Sequence, residues 1–196
     1  MRLIRASWSA PAQIHALTTT RLGGVSRAPY NGLNMGDHVG DVAADVASNR
    51  NLLVQATGLK TLPQWLQQVH GIEVVEAKSD AQVRRADACF TATPGQACIV
   101  MTADCLPVVL VANDASCVGV AHAGWRGLAG GVLQALIAAM PVPPSHLSAW
   151  LGPAISPAAY EVGPEVSAAF QASMGDRSAV CFTPSLRQPG HFMADL

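Results

Sequence analysis

The stretch from Met101 to Gly127 constrains the fold most, because it contains two very apolar segments joined by a short polar turn. Residues 108–112 and 117–121 are each of strand length and are rich in β-branched side chains. Such segments, separated by the four turn-forming residues 113–116, predict a β-hairpin.

A definite register follows if Ala112 pairs with Cys117 across this turn. Pro107 then lies opposite His122, and Cys105 lies two residues further along on the same side of the pleat. Diagonal neighbours on paired strands are roughly 7–8 Å apart between backbones, which lets their side chains ligate one ion together. A metal-free pair of thiol nucleophile and imidazole base is equally consistent with this pattern. A purely structural arrangement, in which a buried cysteine lies beside a capping histidine, is also consistent with this pattern.

His70 is the third metal ligand that residue type suggests, although the sequence alone does not place it beside the hairpin. Two histidines and one cysteine leave one position open on tetrahedral zinc, as in catalytic rather than structural zinc sites. Copper is the alternative, since Cu²⁺ outcompetes Zn²⁺ for such ligands. The six histidines are scattered, however, and do not supply the additional histidine-rich cluster of a multicopper enzyme.

Composition favours one domain with a large core, because half of the 196 residues are apolar and only 13% are charged. The net charge of −1, without a basic block, argues against a nucleic-acid surface. We expect no membrane span and no secretory leader, since no apolar run approaches about 20 residues and the first 20 residues are interrupted by polar ones. Five cysteines without CxxC spacing indicate reduced thiols and a cytoplasmic location. No pattern indicates an oligomeric state.

A helix is predicted over residues 42–57, with Asp41 as its N-cap and Gly58 after its last residue. Asn49 and Arg50 interrupt the apolar stripe of this helix. Arg50 either extends outward over apolar neighbours or points with Asn49 into a polar cavity, where a guanidinium suits phosphate or carboxylate.

Two further elements frame the hairpin. Residues 98–103 predict a strand before it, and residues 128–140 predict a nearly all-apolar helix after it, buried on most sides. The glycine turn at 124–127 would present backbone N–H groups and a helix N-terminus to an anion.

Several motifs together resemble the YfiH family, which is also called the laccase-domain or polyphenol oxidase family. They extend from about residue 14 to residue 196. The motifs are TRLGGVS (20–26), PY (29–30), LN (33–34), HVGD (38–41), NR (49–50), QVHG (68–71), ADA (86–88), TADCLP (102–107), HAGWRG (122–127), GPAI (152–155) and YEVG (160–163).

The resemblance implies an α/β (α+β) fold, a single domain of packed mixed β-sheets flanked by helices. It implies a zinc site formed by His70, Cys105 and His122, and an older label of the family implies copper-dependent phenol oxidation. Family members usually continue beyond the Ala-Asp-Leu at residues 194–196, so we expect this chain to lack a C-terminal helix and strand region.

The activities implied by the resemblance are phosphorolysis of purine nucleosides (adenosine, inosine and methylthioadenosine) and deamination of adenosine. Asn49 and Arg50 would lie at the substrate pocket, with Arg21 and Gln68 as weaker candidates.

For deamination, our hypothesis is that the metal activates water for attack at the amino-bearing carbon of the purine. For phosphorolysis, Arg50 and the amides of residues 124–127 would orient phosphate against the anomeric carbon.

Two other functions stay open at this point. One is a metal-free cysteine hydrolase, acting on an amide or ester such as a cell-wall precursor, in which Cys105 attacks and His122 or His70 is the base. The other is a non-catalytic module that binds a nucleoside or a partner protein.

Overall fold

Twelve short strands and four α-helices are present in the computed structural model, which describes residues 1–196. The strands are β1 Leu3–Arg5, β2 Leu17–Thr19, β3 Leu66–Gln67, β4 Val74–Glu76, β5 Arg84–Arg85, β6 Ala88–Thr91, β7 Leu106–Ala112, β8 Val118–Ala123, β9 Leu147–Leu151, β10 Glu161–Val162, β11 Phe182–Pro184 and β12 Phe192–Ala194. The helices are α1 Ala43–Thr57, α2 Trp125–Gly130, α3 Val132–Ala139 and α4 Pro164–Met174, and short 3₁₀ segments span Pro144–His146 and Gly175–Cys181.

A five-stranded mixed sheet in the order β4-β6-β8-β7-β9 is the largest element of the fold. Only its β4–β6 pair is parallel, and the other three pairs are antiparallel. Three small sheets surround it, namely β1-β2, β3-β5 and β10-β12-β11. The expected α/β class with mixed sheets and outer helices is therefore confirmed.

The predicted hairpin and its register are both confirmed. Strands β7 and β8 pair with Pro107 opposite His122 and Val108 opposite Ala121. Because β9 covers the other edge of β7 and β6 covers the other edge of β8, the hairpin lies in the centre of the sheet. Central strands with both faces covered are expected to read as continuous apolar runs.

Each face of the sheet carries its own apolar cluster. On one face, α3 packs Val132 and Leu136, both without exposed surface, against Val108, Leu110 and Ala121 of the hairpin. The other cluster consists of Leu66, Ala86, Cys89 and Val120, with partly buried neighbours that include Cys98 and Val109. These two layers hold the hairpin rigidly in place.

The single helix predicted over 128–140 was wrong. Gly131 has a φ of +98° and separates α2 from α3, and α2 already begins at Trp125. Burial is also one-sided, since within α3 only Val132 and Leu136 are fully covered. A left-handed residue interrupts helical hydrogen bonding, and glycine adopts this conformation at little cost.

The strand predicted at 98–103 was also wrong. Cys98 forms one isolated bridge, with Gln64, and the backbone of Met101 is instead bonded to the side chain of Gln68. Apart from the bridge at Cys98, the apolar run pairs with no strand, and a side-chain amide bonds to its backbone instead.

At α1, Gly58 ends the helix with a φ of +67°, as predicted, but Asp41 does not cap its start. The Asp41 carboxylate accepts hydrogen bonds from the Val42 N–H and from Nδ2 of Asn34, which leaves the other N–H groups of the first turn without this cap.

All five cysteines are free. No helix combines the length and the apolar character needed to cross a membrane.

Replacing Leu136 by alanine should lower the free energy of unfolding by about 2–5 kcal/mol, because it leaves a cavity against the hairpin. Denaturant unfolding followed by circular dichroism measures this. Leu186→Ala, at a fully exposed position, is the control and should change stability by less than about 0.5 kcal/mol. Equal effects of the two substitutions would contradict the packing of α3 on the sheet.

Candidate metal centre

Three side chains meet at one end of the central hairpin: His70, Cys105 and His122. Their candidate ligand atoms all lie within 4.8 Å of one another. Nε2 of His70 is 4.0 Å from Sγ of Cys105, and the two imidazole rings are 4.7 Å apart between centroids at 72°. The structure thus brings together the three residues that the sequence suggested as ligands.

Different elements supply the three side chains. His122 lies on β8 and is 3% exposed, and Cys105 immediately precedes β7. His70 lies in the turn after β3, with a φ of +59°. The left-handed conformation costs a non-glycine residue roughly 1–2 kcal/mol, so other contacts must hold this turn.

The buried carboxylate of Asp87 holds that turn. Its Oδ2 accepts hydrogen bonds from the backbone N–H groups of Val69, at 3.1 Å, and Gly71, at 2.7 Å. Its Oδ1 accepts one from the N–H of His70, at 2.9 Å, and lies 2.8 Å from Nδ1 of His122. Four partners compensate for burying the charge, and one group thereby positions both histidines.

The contact with Asp87 also selects the nitrogen that His122 offers to a metal. With its Nδ1–H directed at the carboxylate, His122 keeps Nε2 unprotonated and available. Sequence reasoning treated Asp87 only as part of the ADA motif and gave it no role. The signal that could have found it is a carboxylate between two alanines at the start of an apolar strand, where a charge requires partners.

The three donors fit a metal ion of borderline softness. Zinc bonds of about 2.0–2.3 Å place tetrahedral ligand atoms roughly 3.3–3.8 Å apart, so the present separations close with small side-chain movements. Two nitrogens and one sulfur suit zinc or copper, and three protein ligands leave one position open. A Cβ on Gly124 would be 2.8 Å from Cδ2 of His70 and 3.0 Å from Sγ of Cys105, so only glycine fits here.

The protonation states of the free ligands follow from their surroundings. Burial, followed by the charges of Asp104 and Asp87, raises the pKa of the Cys105 thiol. Burial and then the charge of His122 lower the pKa of His70, although Asp87 opposes this. At neutral pH the imidazole of His70 is therefore neutral and the thiol is protonated.

Arg50 is held rigidly on α1. Its Nε and Nη2 donate hydrogen bonds to the Met35 carbonyl at 3.0 and 2.8 Å. Nη2 is also 3.2 Å from the Asp37 carboxylate, and the guanidinium carbon is 4.1 Å from the centre of the Trp65 ring. The side chain is 19% exposed, so it is neither fully buried nor extended into solvent.

Gln68 and Arg50 both contact Met101. The Gln68 amide donates to the Met101 carbonyl at 2.8 Å and accepts from the Met101 N–H at 2.7 Å, and Nη2 of Arg50 is 3.9 Å from the Met101 sulfur. Gln68 precedes His70 by two residues, and Met101 precedes Cys105 by four. Arg50 is therefore linked, through Met101 and Gln68, to the chain segments that carry His70 and Cys105.

The other two predicted substrate residues are placed differently. Asn49 has no exposed surface, and its amide is fully occupied by the loop that precedes α1. Its partners are the N–H of Val25, Oγ of Ser26 and the carbonyls of Gly32 and Asn34. Arg21 is exposed, and its side chain makes no hydrogen bond within the protein.

A cavity of about 70 Å³ adjoins the cluster, with Cys105 and Gly124 in its wall together with Trp125, Tyr160 and Leu196. Its volume suits about two water molecules or a small substituent of a larger ligand. Burial raises the pKa of Tyr160, so its phenol stays protonated at neutral pH.

A family model described as multi-copper polyphenol oxidoreductase laccase matches residues 15–196. Among curated proteins, a purine nucleoside phosphorylase of Pseudomonas aeruginosa is 52% identical over 190 residues, which cover 96% of this chain and 76% of the relative. The purine nucleoside phosphorylase YfiH of Escherichia coli is 46% identical over 179 residues, or 91% of this chain and 74% of the relative.

Solved structures agree with this match. A Neisseria meningitidis protein superposes with a TM-score of 0.92 at 46% identity, covering 98% of this chain and 78% of its own. YlmD from Geobacillus stearothermophilus superposes with a TM-score of 0.80 at 32% identity, covering 90% and 70% of the two chains.

Asp87→Asn should weaken metal binding by about 10–100-fold, because the amide cannot accept all four hydrogen bonds that orient the two histidines. Competition with a chromophoric chelator measures the affinity for zinc. Asp104→Asn is the matched control, since it removes the same charge beside Cys105 without breaking a hydrogen bond to a ligand. An equal loss of zinc affinity in both variants would show that the negative charge, and not the hydrogen bonds of Asp87, determines metal binding.

Metal binding near pH 7.5 should release about one proton, which comes from the Cys105 thiol. Below the raised pKa of this thiol, affinity should accordingly increase about tenfold for each unit of rising pH. Calorimetry in buffers of different ionisation enthalpy counts the protons, and Cys105→Ala should release none. Binding without proton release in the unmodified protein would contradict thiolate ligation.

Proposed function

Because the chain belongs to the YfiH family, whose family model is described as multi-copper polyphenol oxidoreductase laccase, we propose that it is a metal-dependent purine nucleoside phosphorylase. The names of its curated relatives support this reaction. Its proposed substrates are adenosine, inosine and methylthioadenosine with inorganic phosphate, and it also deaminates adenosine. The observation that carries the proposal is a cluster of three candidate metal ligands, together with a fixed guanidinium that contacts Met101, whose backbone is bonded to the Gln68 side chain two residues before His70.

His70, Cys105 and His122 would hold the ion, and zinc is the metal we propose. When bound, such an ion supplies a Lewis acid that lowers the pKa of water to near neutrality. Asp87 keeps both imidazoles in their ligating orientation. Copper can occupy the same donors, but the chain has no second group of three metal-binding side chains, which multicopper chemistry requires.

Arg50 is the proposed phosphate ligand. Its Nη1 makes no hydrogen bond within the protein, so this nitrogen can donate to a phosphate oxygen. A phosphate oxygen then bonds to the anomeric carbon while the bond from that carbon to the purine breaks, and the purine leaves with the electron pair and gains a proton. The backbone amides of residues 124–127 remain a second predicted contact for phosphate, at the start of the short helix α2.

The geometry favours metal ligation over a cysteine nucleophile. A nucleophilic cysteine needs a thiolate, whereas burial raises the pKa of Cys105. The 4.0 Å between its sulfur and Nε2 of His70 is also longer than a tight thiolate–imidazolium pair. A bound metal would stabilise the Cys105 thiolate directly, and metal ligation does not need a close contact between the sulfur and His70.

The deciding experiment assays purified protein of measured metal content with adenosine, in the presence and absence of phosphate. We expect adenine and ribose 1-phosphate only when phosphate is present, and inosine and ammonia in both cases. Chelation should abolish both activities, and reloading with zinc or copper identifies the effective ion. Activity that survives complete chelation but not thiol alkylation would instead identify a cysteine hydrolase. Tight nucleoside binding without any product would identify a binding module.

Cys105→Ala should lower kcat/KM for both reactions by about 1000-fold, which corresponds to about 4 kcal/mol of transition-state stabilisation. The fold should survive, which circular dichroism checks. Cys181→Ala removes a thiol outside the cluster and should leave both rates within about twofold. Full turnover by the Cys105 variant would overturn the proposed function.

A further inference from the structure

An anion of the protein itself is paired with the Arg50 guanidinium that phosphate would use. A phosphate binds a guanidinium best through two parallel N–H···O bonds along one edge. The edge formed by Nε and Nη2 is already used, because both nitrogens donate to the Met35 carbonyl. The remaining edge consists of Nη1 and Nη2. Nη2 also lies 3.9 Å from the Met101 sulfur, and the Asp37 carboxylate forms an ion pair with it at 3.2 Å without accepting a hydrogen bond.

The guanidinium cannot turn away from this carboxylate. Stacking on Trp65, at 4.1 Å, and the two bonds to Met35 fix its plane and its rotation. Asp37 is the freer partner, since its side chain is 54% exposed whereas that of Arg50 is 19% exposed. A competing anion would therefore displace the carboxylate and leave the guanidinium in place.

The loop that carries Asp37 is held by contacts of Asn34 as well as by the two bonds from Arg50 to the Met35 carbonyl. The Asn34 side chain donates to the Gly36 carbonyl at 3.2 Å and to the Asp41 carboxylate at 2.8 Å, which closes the loop on both sides of Asp37. The charged or titratable groups facing the Asp37 carboxylate are Arg50 and His38, whose Nδ1 is 3.7 Å away. The contacts within the loop, as well as the ion pair, thus hold the Asp37 carboxylate beside Nη2 of Arg50.

We propose that Asp37 is a specificity-determining residue that competes with phosphate for the Arg50 guanidinium and so sets the KM for phosphate. The inference rests on the proposed phosphorolysis. The carboxylate keeps the guanidinium paired when phosphate is absent, and it opposes the entry of a second anion by charge repulsion. A higher phosphate concentration is then needed before phosphorolysis competes with reactions in which water is the nucleophile.

Asp37→Asn should lower the KM for phosphate by about three- to tenfold in the metal-loaded enzyme, as expected for removing a partly solvated charge a few ångströms from the anion. The effect should shrink as ionic strength rises, because exposed charges are screened. If Asp37 only held Arg50 in position, the same variant would raise this KM. The direction of the change therefore decides between the two roles.

Asp45→Asn is the matched control. It removes the same single charge from the first turn of α1 and has no contact with the Arg50 guanidinium. We expect its KM for phosphate to stay within about 1.5-fold of the unmodified enzyme. A decrease equal to that of Asp37→Asn would assign the effect to net charge and overturn the proposal.

Calorimetric titration with inorganic phosphate, without nucleoside, separates this proposal from the proposed function. If the unmodified enzyme shows no phosphorolysis, the proposed function fails, yet tighter phosphate binding by Asp37→Asn would still support the subsite. Equal or weaker binding would overturn it. Adding Arg50→Gln to Asp37→Asn should remove the gain in affinity, and a gain that persists would locate the effect away from Arg50.

Discussion

The candidate site depends on one buried interaction, the four hydrogen bonds received by Asp87. Three of them fix the turn that carries His70, and the fourth fixes the ring and the tautomer of His122. A charge without exposed surface is tolerated only with such a complete set of partners. The same set holds His70 in a left-handed conformation that its side chain disfavours. The hydrogen bonds to Asp87 therefore hold both histidines in a ligating orientation in the folded protein without a metal.

Part of this site could be predicted from the local sequence pattern alone. The hairpin register followed from two apolar runs and a four-residue turn, and it placed Cys105 near His122. In a hairpin the length and type of the turn fix the register, so the four-residue turn left this inference little freedom. The position of His70 could not be derived, because it depends on the parallel pairing of β3 with β5 and on the bonds to Asp87, which are contacts distant in sequence.

The errors share a physical origin. Apolar runs were read as continuous elements, but Gly131 divides one of them, and the side chain of Gln68 satisfies the backbone of another.

Asn49 and Arg50, which the family resemblance predicts at the substrate pocket, are adjacent on one helix but make different contacts. In the folded chain the first is entirely used in holding the loop, and the second keeps one nitrogen free. Neighbouring residues on a helix differ by about 100° in direction, so adjacency does not imply a shared role.

The hairpin that carries Cys105 and His122 lies at the centre of the largest sheet, whereas His70 lies in a turn after a two-residue strand. Central strands open only with the whole domain, while turns open at far lower free energy. His122 belongs to a central strand and Cys105 directly precedes one, whereas the turn of His70 depends on three backbone hydrogen bonds to Asp87. Release of a bound ion through His70 would therefore require these three bonds to break, but not the unfolding of the central strands.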